Sequence, residues 1–146
     1  MARAVITAVD TNVLIADSEH ARESEERLGQ ALREGKIVIC DVVYAELAGA
    51  FDQHDALEKF LTAVGLELDP ISPDGLFRAG ASWRRYLSNR GEGARCPSCD
   101  ASLPARQHLI ADFLIGAHAM DRCDRLLTRD RGFFRTYFDG LTLAGA

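Results

Sequence analysis

Long apolar runs are missing from this chain of 146 residues: no stretch approaches the ~20 consecutive apolar residues that a helix needs to cross a bilayer. An apolar leader is missing too, because Asp10, Asp17 and Glu19 fall where a signal peptide would be uncharged. Both absences point to a cytoplasmic protein without a membrane partner. Cysteine is sparse, with four in all, and a chain of this length removes roughly two-thirds of its extended surface from water on folding, so disulfide staples are not required. Lysine is almost absent. Only Lys36 and Lys59 occur, and 15 of the 17 basic residues are arginine, whose planar fork suits phosphate oxygens.

What is present has the profile of one ordinary globular domain over residues 1–146, with 47% hydrophobic and 27% charged residues and no repeat or low-complexity tract. The formal charge of −5 taken alone argues against a nucleic-acid partner. That average hides an asymmetry. Residues 1–75 hold 6 bases and 15 acids, net −9, whereas residues 76–146 hold 11 bases and 7 acids, net +4.

Short apolar runs alternate with segments of helical spacing. Ala4–Val9 reads as a buried strand that ends at Asp10 and is followed by Thr11-Asn12, which suit a helix start. A charged helix is expected over Ala21–Arg33, closed by Gly35, then a strand over Ile37–Cys40 and a helix capped by Asp41 and reaching about Phe51. Helical spacing returns over Asp55–Val64, with a third strand or extended connection over Gly65–Ile71 and a helix from Pro73 to about Arg90. Residues 91–107 lack any periodicity and read as a loop insertion. A nearly all-apolar helix over His108–Met120, a strand over Arg125–Thr128, a helix over Arg131–Phe138 and a last strand over Leu141–Leu143 complete the chain. Such alternation implies an α/β fold, a parallel sheet with helices on both faces.

Four acids stand in places where acids are costly. Asp10 and Asp130 fall at strand ends, the edge of an α/β sheet where ligand sites collect, although either acid also serves as a plain helix cap. Glu46 borders the apolar stripe Val43, Leu47, Ala50 and Phe51 of its helix, where a carboxylate must be desolvated or paired. Asp112 is the only polar side chain among the nine residues Leu109–Ala117, with no lysine or arginine one turn away. If the four converge, two carboxylates ~5 Å apart at an effective dielectric of ~20 repel by roughly 3 kcal/mol. Either some are protonated or a divalent cation sits among them, and an all-oxygen set selects Mg²⁺ or Mn²⁺.

The series Asp10-Thr11-Asn12-Val13-Leu14-Ile15, Glu46, Asp112-Phe113-Leu114-Ile115-Gly116-Ala117 and Thr128-Arg129-Asp130 resembles the PIN-domain ribonucleases, and within them the VapC toxins of toxin–antitoxin pairs. The resemblance covers nearly the whole chain. It implies a PIN-like three-layer α/β/α domain with a central, mostly parallel sheet flanked by helices. It also implies Mg²⁺- or Mn²⁺-dependent hydrolysis of RNA by water, a cognate antitoxin and a homodimer. By the same resemblance Asp10, Glu46, Asp112 and Asp130 are the metal-holding catalytic acids, and Asn12 and Thr128 orient them. Arg84, Arg85, Arg90, Arg95, Arg106, Arg129, Arg131 and Arg135 are candidate phosphate contacts, or ordinary solvated surface.

The insertion departs from that pattern. Cys96-Pro97-Ser98-Cys99 supplies half of a structural zinc site, with His108 as third ligand and Cys123, Cys40, Asp100 or a second subunit as fourth; two plain surface thiols are the alternative. His20, His54 and His118 read as surface or core residues. Two rivals remain open. One is a non-catalytic RNA-binding or antitoxin-binding module on the same fold. The other is a haloacid-dehalogenase-like phosphatase, against which stand Asn12, where a second aspartate belongs, and the positions of the two lysines.

Overall fold

The structure, a computed structural model, describes residues 3–89, 98–99 and 110–145. The elements run β1 (Val5–Val9), α1 (Thr11–Leu14), α2 (Ala21–Glu34), β2 (Gly35–Ile39), α3 (Asp41–Ala48), α4 (His54–Val64), β3 (Leu66–Leu68), α5 (Pro73–Asn89), α6 (Ile110–Arg122), β4 (Arg125–Leu127) and α7 (Arg131–Tyr137). The strands pair in parallel in the order β3-β2-β1-β4, with Ala8 of β1 opposite both Val38 of β2 and Leu126 of β4. Ile37, Val38 and Ile39 are all buried. This is the continuous apolar run of a strand covered on both faces.

From β1 the chain moves to β2 and β3 in one direction, then crosses back to β4. Right-handed crossovers therefore place α2 and α4 on one face and α5 and α6 on the other. Helix α6 is fixed by Phe113, fully buried among Trp83, Tyr86, Phe133, Tyr137 and Phe138 with ring centroids 5.2–6.0 Å away. Gly116, one turn on, lets α6 lie directly on Phe138: a Cβ there would come within 2.5 Å of that buried ring. Gly116→Ala should therefore cost about 1–3 kcal/mol despite alanine's better helix propensity. A fall in the thermal midpoint checks this; an unchanged midpoint would mean Phe138 yields freely.

Three expectations from the sequence are corrected. Helix α3 stops at Ala48, where the chain tightens into short-range bonds such as Ala50 N–H to Leu47 C=O at 2.9 Å, leaving Ala50 exposed and Phe51 half-buried. Its N-cap is Cys40; Asp41 is the first helical residue and accepts the Ile71 N–H at 3.4 Å instead. The last expected strand, Leu141–Leu143, makes only an isolated bridge between Leu143 and Leu126, because the chain bends at Gly140 (φ 87°) and passes β4 briefly.

A second polar knot braces the sheet away from the acids. Asp69, just past β3, accepts two bonds from Arg122 at 2.8 and 2.9 Å and faces buried His118 Nε2 at 2.8 Å. The guanidinium of Arg122 holds the Asp69 carboxyl below its usual range.

Candidate active site

Because β1 has β2 on one side and β4 on the other, the crevice at the carboxyl ends of β1 and β4 is the switch point of the sheet, where α/β ligands collect. Asp10 follows β1 and Thr128 follows β4, so parallel pairing alone brings them together. The Thr128 hydroxyl, itself buried, donates to Asp10 Oδ2 at 2.8 Å. The same oxygen accepts the Asp130 backbone N–H at 3.0 Å and faces Asn12 Nδ2 at 3.5 Å. Asn12 Oδ1 in turn accepts the Arg129 N–H at 3.1 Å. One hydroxyl thus ties together the turn after β1 and the turn after β4.

Asp10 and Asp130 occupy the N-cap positions of α1 and α7, yet neither side chain makes the capping hydrogen bond. Helix capping therefore does not account for either acid.

The other two acids arrive on helices. Asp112 stands half-buried in the first turn of α6, held by its neighbour Phe113 in the aromatic nest. Glu46 projects from α3 and is exposed overall, less enclosed than its place beside the apolar stripe led one to expect. Its carboxyl end nonetheless senses the site: partial burial first, and Asp112 second, raise its pKa above the usual value. Asp10 carries the largest effect. Burial, then the negative charges of Asp112 and Glu46, raise it from 3.8 to about 6 against the opposing bond from Thr128. Three carboxylates from β1, α3 and α6 therefore sit within electrostatic reach of one another. Asp130 joins them through its main chain.

The residues present suit a hard divalent cation: the donor set is all oxygen, and burial first, then the like charges of Asp112 and Glu46, push its least exposed member toward protonation. Among the described residues, the trio of ligating atoms that already lies within 4.8 Å of one another is a different one, Asp69, His118 and Cys123. The acids at the switch point form no such close trio among the described residues.

Thr128→Val tests the hub. It leaves a buried carboxylate without its donor, so a loss of about 1–3 kcal/mol is expected, with the Asp10 pKa moving further up. Denaturation at two pH values checks both; unchanged stability would make the hydroxyl dispensable.

The remaining candidates scatter. Arg84 is exposed, and Arg85 Nη2 donates to the Tyr137 carbonyl at 2.8 Å, a fastening of α5 to α7. Arg129 and Arg131 flank the acidic site, with Arg135 one turn further along α7. Arg90, Arg95, Arg106, Cys96, Asp100 and His108 lie outside the described residues, as does nearly all of the insertion. Cys99 is an exposed free thiol, while Cys40 and Cys123 are free thiols that burial pushes up to about 11 and about 12. Residues that the sequence did not flag also approach the site: His20, Ser24 and Arg27 of α2 and its entry turn. Nothing local marks them, since only folding brings α2 beside β4.

The chain belongs to the PIN domain family, whose model matches residues 7–139. PIN domains are in general nucleases, and they generally use divalent metal ions. Among solved structures, three VapBC toxin–antitoxin complexes are similar in fold. VapBC2 from Rickettsia felis, bound to a DNA fragment from its promoter, is 22% identical with a TM-score of 0.62, over 94% of this chain and 96% of that one. VapBC-1 from nontypeable Haemophilus influenzae is 19% identical at 0.63, again over 94% and 96%. DNA-bound VapBC from Salmonella typhimurium is 17% identical at 0.58, over 95% and 96%. No curated protein matches the chain significantly in sequence.

Proposed function

We propose that this protein is a Mg²⁺- or Mn²⁺-dependent endoribonuclease and the toxin of a type II toxin–antitoxin pair. The observation that carries the reading is the mutual coupling of Asp10, Glu46 and Asp112 at the switch point, which leaves Asp10 in need of positive charge. Asp10, Glu46, Asp112 and Asp130 hold the cation; when bound, it supplies an activated water and stabilisation of the leaving oxygen. The chain's own part is positioning. Thr128 fixes the orientation of Asp10 through its 2.8 Å bond, and Asn12 holds the turn after β4 against the turn after β1. RNA as substrate rests on the resemblance to VapC toxins, and so do an antitoxin partner, a homodimer and a cytoplasmic location.

The test is cleavage of an end-labelled pool of structured RNA by purified protein with Mg²⁺, with Mn²⁺ and with chelator. Metal-dependent cuts support the proposal. Binding without cuts would make the chain a non-catalytic module, and release of phosphate from a small monoester without RNA cleavage would favour a phosphatase.

A further inference from the structure

Beside the acids, between α2 and the turn after β4, lies a cavity of about 270 Å³ lined by three arginines, Arg27, Arg129 and Arg131. His20, Ser24 and Thr128 complete its polar lining. One carboxylate, Glu23, also faces it, already paired with Arg27 Nε at 3.0 Å. Asp17, close by, is bonded to His20 Nδ1 at 2.7 Å and lies in electrostatic reach of Arg129. Arg131 makes no ion pair among the described residues; it donates Nη1 to the Ala144 carbonyl at 2.6 Å. Three cations against one anion in a concavity focus a positive potential, and a bound anion is what relieves it.

Thr128 belongs to both sites. It lines the cavity and donates to Asp10, so an anion held there lies next to the carboxylates. A chain of net charge −5 with clustered acids repels a polyanion, and productive binding needs a cationic hold close by.

We propose that this cavity is a phosphate subsite, binding through Arg27, Arg129 and Arg131 the RNA backbone phosphate that neighbours the scissile one. The proposal rests on the ribonuclease reading above and adds to it where the strand is gripped. Such contacts set register without reading bases.

The experiment measures binding of a short, fluorescein-labelled, random-sequence RNA to the Asp112→Asn protein in Mg²⁺ over a range of salt. Adding Arg129→Gln or Arg131→Gln should weaken binding about 5- to 10-fold and shrink the slope of log K against log salt by ~0.7 each. In the otherwise intact enzyme each should raise KM with kcat within about twofold. Arg131 also steadies the Ala144 carbonyl, so Arg129→Gln, whose guanidinium makes no hydrogen bond or ion pair among the described residues, guards against a folding artefact. Unchanged affinity and slope in the variants of an RNA-cleaving enzyme overturn the subsite alone. A wild type that never cleaves RNA overturns the underlying reading, and with it any placement beside a scissile bond. If the variants keep RNA binding but lose affinity for hexaglutamate, the cavity takes protein carboxylates and the proposal fails.

Discussion

Asp112→Asn is expected to reduce metal-dependent RNA cleavage by about 10³-fold. Partners that merely orient a metal ligand cost 10–100-fold when removed, and loss of a ligand's charge should exceed that. The same substitution should stabilise the metal-free protein at neutral pH, because it removes a like charge that acts on both Asp10 and Glu46. Opposite signs for activity and stability mark a residue kept for chemistry rather than packing. Single-turnover cleavage together with urea denaturation measures both. A variant that loses stability as well as activity would turn Asp112 into a structural residue and remove the metal pocket.

The contribution of Asp10 to the stability of the metal-free protein should fall as pH rises from about 4 to about 6. Asp10 has a folded pKa of about 6 against 3.8 for the free side chain, so the folded state binds the proton more tightly. Its contribution is fully present below pH 3.8 and lost as pH climbs through about 6, an amount of about 3 kcal/mol. Asp69, Asp17, Glu34 and Asp124 act in the other direction: their lowered pKa values stabilise the fold above the usual carboxylate range and fail it in acid. The stability of wild type minus that of Asp10→Asn isolates the effect. Saturating Mg²⁺ should recover ~2.7 kcal/mol at a hundred times its Kd, more at pH 7 than at pH 5. A difference curve that stays flat over this window would mean that the Asp10 carboxyl is not crowded.

Much of the fold was legible because parallel strands buried on both faces are written as unbroken apolar runs, and helices as periodic ones. Asp112 stood out as a charge set against an apolar background, and Asp10 and Asp130 as acids at the ends of strands. Glu46 was found from its place beside an apolar stripe taken to run on to Ala50 and Phe51, whereas α3 ends at Ala48 and the residue is exposed overall, with its carboxyl only partly desolvated. The bridge at Leu143 was read as a full strand because three residues cannot reveal how long they run beside a partner. The Asp69–His118–Arg122 knot and the Arg27 side of the cavity were not legible at all. Both are contacts between elements far apart in the chain, and neither changes the local pattern in either partner.

An inner strand of the sheet, β1, is the first to be made, and its neighbour β4 is the last of the four. During translation Asp10 thus emerges long before Thr128, the group that will orient it, and a nascent polypeptide carries its acids without a finished centre. The centre at the switch point is therefore complete only once β4 and the turn after it have been made and paired with β1.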